Sequence, residues 1–509
     1  MSPKPFSLKS ASLKKVLRRT ASAAAAGLIL ASCAVGPNFE RPDAPAVSGY
    51  TPTPLGATAS ADAPAGASQS FTAGQDIAAQ WWTLFQSPQL NALITQALKN
   101  NPTLQAAEAS LRVAQENQKA QQSILFPAVD GHLNAARQQS YNSFGAGGAS
   151  TIPAFTVTTA SVSVSYAIDL WGGSRRALEG TTAQTEQARF QMEAAYLALT
   201  SNVIVAAVQQ ASLRAQVEAT QAILGAQEEQ LGVLRKQLEL GGIAEADVLT
   251  QVAAVAQTRA QLPALQKQLA QINSQLLALA GRFPDDASLE TFDLASLRLP
   301  ENLPVSLPSA LVQQRPDIRA SEAMMHAASA DIGVATALML PQVSLNASYG
   351  NSASRFSDLL NPGSTVWSLG AGLTQPIFRG GELLHRRRAA VAAYDSAAAQ
   401  YRGTVVGAFQ NVADTLSALQ VDADAVRAQL EAERAAQENF TIAQNRFQTG
   451  ATNFLTLLDA QRSYQQARVA LVQAQASRYA DTAALFVALG GGWWNRSDDT
   501  AETKVSANQ

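Results

Sequence analysis

The sequence predicts a duplicated α+β membrane protein, each half running helix, strand, strand, long helix, return helix. Three observations predict it. Two proline-free stretches, Arg175–Leu240 and Glu382–Thr449, are built from Ala, Gln, Leu, Glu and Arg, which are good helix formers. At 1.5 Å per residue each makes a helix of roughly 100 Å. Apolar residues in them recur at a heptad step, the mark of a coiled-coil seam: Val217, Leu224, Leu231 and Leu238 beside Leu213 and Leu234, then Val412, Leu419, Val426, Phe440 and Phe447 beside Leu416, Ala423 and Leu430. The spacings repeat. Pro102 to Pro127 and Pro316 to Pro341 are both 25 residues, while Gly173 to Gly241 is 68 and Gly381 to Gly450 is 69.

Composition sets the bounds. The chain has 509 residues, of which 15% are charged and 6% aromatic, a balance suited to long packed helices. The formal charge is −2, and the first 32 residues hold six of the 37 Lys and Arg and no acid. Without that segment the charge is about −8, and no basic block remains, which argues against nucleic acid as a partner. No stretch reads as the ~18 consecutive apolar residues of a membrane helix, so a spanning form would have to be a β-barrel.

Residues 1–32 read as a signal peptide. Lys4, Lys9, Lys14, Lys15, Arg18 and Arg19 form the basic region and Ala21–Leu30 the short apolar one. Leu30-Ala31-Ser32-Cys33 then resembles a bacterial lipobox, in which the thiol is acylated and becomes the new N-terminus. Ala34 in the next position implies sorting to the outer membrane. The alternative is a plain secretory signal with an incidental cysteine. Cys33 is the only cysteine, so an intramolecular disulfide and a Cys-based zinc cluster are excluded.

Residues 33–80, rich in Pro, Ala, Ser, Gly and Thr, read as an extended acylated tether. The first repeat spans 81–300. It opens on Trp81-Trp82 and Phe85, and Ser87-Pro88 caps a helix. Asn101-Pro102 starts a second helix that ends at Phe126-Pro127. Strands are expected at about 128–137 and 155–168, the latter alternating Val157, Val162, Val164 and Tyr166 with Ser and Thr. A polar loop, Gln138–Pro153, lies between them. Gly172-Gly173 breaks the second strand, and Ser174 is expected to cap the long helix. Gly241-Gly242 ends that helix, and a return helix follows with a kink at Pro263. Phe283–Pro308 reads as a linker. The second repeat, 301–494, has strands at about 342–350 and 366–375. Pro376 and Gly380-Gly381 form the break before the second hairpin. Residues 495–509 read as a disordered tail.

Each repeat gives one strand pair, so one chain gives four strands. Four strands neither close a barrel nor hide their edges, and open edges are forbidden in a bilayer. Several chains must pool them, and three chains would supply twelve, within the range of known barrels. The junctions Pro127, Gly172, Gly173, Pro341, Pro376, Gly380 and Gly381 stand where such a barrel would pass into helices.

The Trp81-Trp82…Phe85…Pro88…Leu93-Ile94…Asn101-Pro102 entry, the duplicated layout and the block Gly450…Phe454-Leu455-Thr456-Leu457-Leu458-Asp459-Ala460-Gln461-Arg462 together carry a resemblance. The chain resembles the TolC-type outer-membrane channel family, in particular its NodT-type lipoprotein branch. The resemblance implies a homotrimer with a twelve-stranded outer-membrane barrel continued by a periplasmic helical barrel. It also implies a passive exit duct for drugs and small molecules, working with a periplasmic adaptor and an inner-membrane RND-type pump. The exit duct of a type I protein-secretion system, or a periplasmic coiled-coil scaffold, are the alternatives.

By the resemblance, Asp459 is the aperture aspartate and Leu455 the apolar constriction. Thr456 stands where some relatives carry a second aspartate, and Asp247 occupies the corresponding place in the first repeat. From spacing alone, Asp459 reads as well as a solvated helix charge. The hairpin tips at Gly241, Gly242 and Gly450 are expected to meet the adaptor, and serve equally as helix caps. His132, His326 and His385 lack metal-ligand spacing, and no nucleotide or catalytic motif is present, so neither an enzyme nor a cofactor is expected beyond covalent lipid on Cys33. Glu382 to Arg388 is a basic cluster at a helix start, open to anionic lipid or to solvent.

Overall fold

The computed structural model describes residues 34–53, 55–139, 153–285 and 290–496, and the backbone of 141–142 and 150–151. The signal peptide, Cys33, most of the first polar loop and residues 497–509 lie outside the described residues.

The three longer helices of each repeat have the same lengths, while the first is 13 residues in one repeat and 7 in the other. After α1 (Pro88–Asn100), α2 (Pro102–Ser123) has 22 residues; α3 (Gly173–Glu239) has 67 and α4 (Glu245–Leu279) has 35. Following the short α5 (Pro308–Gln314), the lengths recur as 22 in α6 (Pro316–Ala337), 67 in α7 (Glu382–Gln448) and 35 in α8 (Phe454–Ala488). Local chemistry sets these ends. Ser87 Oγ accepts from Leu90 N–H, and Asn101 Oδ1 accepts from Thr103 and Leu104 N–H. At α3 the cap is not Ser174: the Asp169 carboxylate accepts from the backbone N–H of Ser174 and Arg175, because Gly172 turns the chain back at φ +73°. Helix α4 continues through Pro263.

The chain forms two compact units. The first takes residues up to 41, 112–187 and 321–400. It holds a four-stranded antiparallel sheet of β2 (Ala128–Gln138), β3 (Phe155–Ile168), β5 (Gln342–Ala353) and β6 (Thr365–Thr374) in the order β2-β3-β5-β6. Strand β5 runs on to Ala353, past the expected end near 350, and a 3-10 turn at Phe356–Asp358 stands between it and β6. Residues 34–41 are docked rather than free. Arg176 donates to the carbonyls of Val35 and Gly36 and to Asn38 Oδ1, Phe39 stacks on His326 at 4.3 Å, and Arg41 pairs with Glu322.

The second unit takes residues 42–111, 188–320 and 401 onward. Its core is the predicted seam: Val412, Leu416, Leu419, Ala423 and Val426 are buried, as are Leu213, Leu231 and Leu234. Here too the tether reading gives way. Residues 58–69 form a strap held by buried Arg478, and β1 (Ser70–Ala73) pairs in parallel with β4 (Asn302–Val305), inside the stretch read as a linker. Low hydrophobicity hid this, because the strap is fixed by backbone carbonyls, which the sequence does not display. One 18-residue window of α3 has a mean hydropathy of 1.2, enough by length and composition for a membrane helix, but half of it is buried inside the chain, as in a core helix.

Candidate functional site

The sheet register sorts side chains by chemistry. Directly paired residues share a face, giving the rows Val129–Val164–Ala347–Leu369 and Gly131–Val162–Tyr349–Trp367. The alternate rows are Asp130–Ser163–Ser348–Ser368 and His132–Ser161–Gly350–Val366. One face is therefore apolar and aromatic, the other small and polar. Leu133, Trp367, Leu369 and Leu373 are all about 70–80% exposed, with nothing in the chain covering them. On the polar face His132 bonds Ser163 and Ser348 bonds Ser368. Such dyad alternation is how a strand meets lipid on one side and water on the other. The outer strands β2 and β6 are edges, with their ladder groups turned to no further strand.

The junction residues stand at the strand ends. Pro127 precedes β2, Pro341 precedes β5, and Pro376 follows β6. Gly172, Gly380 and Gly381 have φ of +73°, +56° and +87°, and Gly173 opens α3. A Cβ on Gly172 would lie 2.7 Å from Ala34 Cα, so this glycine also seats the residue that follows Cys33.

The two hairpin tips close alike. Gly241 and Gly450 are left-handed at +75° and +73°. Gly241 N–H donates to Leu238 and Gly242 N–H to Gln237, as Gly450 N–H does to Phe447 and Ala451 N–H to Arg446. Both are Schellman caps. A buried cluster joins the tips: Leu231 and Leu234 of α3 and Val248 and Val255 of α4 meet Phe454 and Leu458 of α8. Phe447 packs edge-on against Phe454 at 6.0 Å. Asn453 caps α8 by accepting from both the N–H and the hydroxyl of Thr456.

Between the tips lies a cleft of about 670 Å³, whose walls include Gly242, Asp247, Gly450, Phe454 and Leu455. Asp247 and Thr456 each stand third in their return helix. Leu455, 57% exposed, and Asp459 follow each other by one turn on the face of α8 opposite buried Phe454, Leu457 and Leu458. The structure thus brings Asp247 and Leu455 to one cleft and leaves Asp459 just beyond it, exposed. The sequence did not reveal the cluster that locks the tips; Phe454 and Leu458 at an i, i+4 step were its only signal.

The basic cluster is partly neutralised, since Glu382 pairs with Arg386. His326 bonds Glu179, whose carboxyl stays below its ordinary range: burial raises it, but hydrogen bonds from Arg176 and His326 outweigh that.

Against known proteins, residues 93–282 and 307–491 match the outer membrane efflux protein family, one block for each repeat. The chain is 33% identical over 418 residues to the pyoverdine export outer membrane protein OpmQ of Pseudomonas putida, covering 81% of this chain and 88% of that protein. It is 31% identical over 484 residues to the probable efflux pump outer membrane protein TtgC of the same species, covering 94% and 96%. Among solved structures, the outer-membrane channel OprN superposes with a TM-score of 0.80 at 28% identity, covering 91% of this chain and 100% of that one. VceC of Vibrio cholerae gives 0.75 at 29%, covering 82% and 100%. The expected fold class and outer-membrane location both stand. A duplicated strand–helix chain with a sorted sheet and capped hairpin tips, alike in sequence and fold to these channels, belongs to the outer membrane efflux protein family.

Proposed function

We propose that three copies pool their sheets into a twelve-stranded barrel in the outer membrane, as the exit duct of a tripartite efflux pump. The observation that carries this is the sheet itself, with one apolar face, one polar face and two edges that a neighbouring copy would pair. The duct takes what an inner-membrane RND-type pump delivers through a periplasmic adaptor, and the adaptor meets the tips at Gly241, Gly242 and Gly450. It performs no catalysis and needs no cofactor. Relatives named for efflux pumps favour this reading over protein secretion.

In the trimer Leu455 would form an apolar constriction and Asp459 a ring of three carboxylates, which favours cations in a narrow throat. Asp247 and Thr456 would flank it. Acylation of Cys33 would anchor each chain, and the docking of Ala34 against Gly172 and of Val35 on Arg176 supports an anchor near the strand-to-helix junction.

The test is conductance in a planar bilayer, wild type beside Asp459→Ala. A small cation-selective conductance that rises in the variant is expected. Absent conductance from folded protein would remove the duct, and equal conductance would remove Asp459 from the gate. Palmitate labelling should disappear in Cys33→Ser; persistent label would overturn the anchor.

A further inference from the structure

Strand β6 ends at Thr374 and α7 begins at Glu382. The turn between them carries the two most exposed large apolar side chains among the described residues, Ile377 at 94% and Phe378 at 88%. They come directly after Trp367, Leu369 and Leu373, the exposed row on the apolar face of the sheet. The turn is pinned. Gln375 Nε2 donates to the carbonyls of Met339 and Pro376 at 3.1 and 2.9 Å, and Gly380 and Gly381 are left-handed. Two hydrophobes are therefore fixed outside any core that the chain provides.

Cations follow at once. Residues 375–394 hold Arg379, Arg386, Arg387 and Arg388 against a single acid, Glu382, in a chain whose overall charge is −2. Glu382 lies 2.7 Å from Arg386 and 3.9 Å from Arg379, so its one charge is taken up. Arg387 and Arg388 are exposed and have no carboxylate partner among the described residues. The matching end of α3 differs. There Arg175 pairs with Asp169, and Arg176 with Glu179. Counted from the paired glycines, Glu179 corresponds to Arg387. The second repeat thus puts a cation where the first puts the acid that neutralises its own.

We propose that Ile377, Phe378, Arg387 and Arg388 form a binding site for anionic phospholipid, the apolar pair entering the acyl layer and the guanidinium pair holding headgroup phosphates. The site rests on the duct proposed above, which sets the strand ends at the edge of the hydrocarbon. At that depth an arginine lays its stem along apolar surface and keeps its charge among the headgroups. Its planar fork matches phosphate oxygens two at a time. Charge complementarity selects the occupant. Anionic phospholipid offers hydrocarbon and phosphate side by side, whereas a second copy covering the hydrophobes would have to bring a carboxylate to each of two cations. Zwitterionic lipid offers the same phosphate with its own cation beside it, and so binds more weakly.

Electron spin resonance of spin-labelled lipid tests this, on the purified full chain reconstituted in phosphatidylcholine vesicles. Spin-labelled phosphatidylglycerol should be held at the protein more tightly than spin-labelled phosphatidylcholine. Roughly 1 M salt should erase most of the difference, since charges then act only over ~3 Å. Each cation at a membrane surface contributes about fivefold, so Arg387→Gln with Arg388→Gln should cut the preference by about fivefold or more. A double variant that does not fold is replaced by Arg388→Gln alone, with a smaller fall of the same kind. Phe378→Ser should loosen both lipids alike. No preference in wild type, the same preference in the arginine variants, or an unchanged hold in Phe378→Ser overturns the site. A folded arginine variant that no longer forms trimers would make the patch an interface between copies and overturn it as well. Conductance of the same vesicles separates the two readings. A conducting wild type without the preference overturns the lipid site alone, and folded protein that neither conducts nor holds either lipid overturns the duct and the site with it.

Discussion

Trp171 Nε1 donates to the Pro341 carbonyl at 2.7 Å. One residue ends the first strand pair and the other begins the second, so this bond ties the two repeats together at the base of the sheet. Trp171→Phe keeps the ring and leaves the carbonyl unpaired, a loss of about 1 kcal/mol. Thermal unfolding should shift down by a few degrees with the assembly unchanged; an unshifted midpoint would show that water replaces the indole.

Gly350 of β5 pairs with Ser161 of β3. A Cβ there would lie 2.2 Å from the Ala160 carbonyl oxygen and 2.5 Å from Ser161 Cα, both backbone atoms that cannot rotate away. Gly350→Val should therefore part the central strand pair. The expected result is loss of folded, membrane-inserted protein, while the same change at exposed Gly370, whose Cβ meets nothing within 4 Å, should be tolerated.

Arg478→Leu strands the Ala65 and Ala67 carbonyls beneath the strap, while Thr58 Oγ1 keeps the Gln69 N–H. Each buried acceptor left unpaired costs about 1–3 kcal/mol, so a total of about 2 kcal/mol or more is expected. Limited proteolysis should then cut within residues 58–69, which the wild type resists. Arg478→Lys should not rescue it, since one ammonium cannot reproduce the two-armed contact. Equal protease resistance would mean that the β1–β4 pairing alone holds the strap.

Glu179 gives the fold a pH dependence on its acid side. Its carboxyl is lowered from 4.5, because the hydrogen bonds from Arg176 and His326 outweigh the effect of burial. Stability from this group is present above 4.5 and is lost as pH falls below it. Glu179→Gln should flatten the acid limb of the melting profile near pH 4. An unchanged acid limb would take this cluster out of the acid response.

How much was legible follows from what each element is made of. Heptad rows, cap residues and equal spacings are local patterns, so the duplication, the 67-residue helices and the Gly241 and Gly450 turns could be read before any coordinate. Strand β3 was equally plain, because Val and Tyr alternate with Ser and Thr. Strand β2, Ala128–Gln138, showed its period only against its neighbours, since Ala and Gly carry little signal of side. Asp459 owed its candidacy to a resemblance, and its exposed face is fixed only by the burial of Phe454, Leu457 and Leu458 beside it.

The sequence by itself determined the period, order and ends of the elements, because these depend on residues a few positions apart. Only the tertiary structure decided that residues 34–41 and 58–69 are docked, that the tips share a core, and that Arg478 lies among the carbonyls of the strap. Those pairings join positions up to 420 residues apart, as Thr58 and Arg478 are. Their acceptors are mostly backbone oxygens, alike at every residue, so only folding selects which of them a buried guanidinium meets.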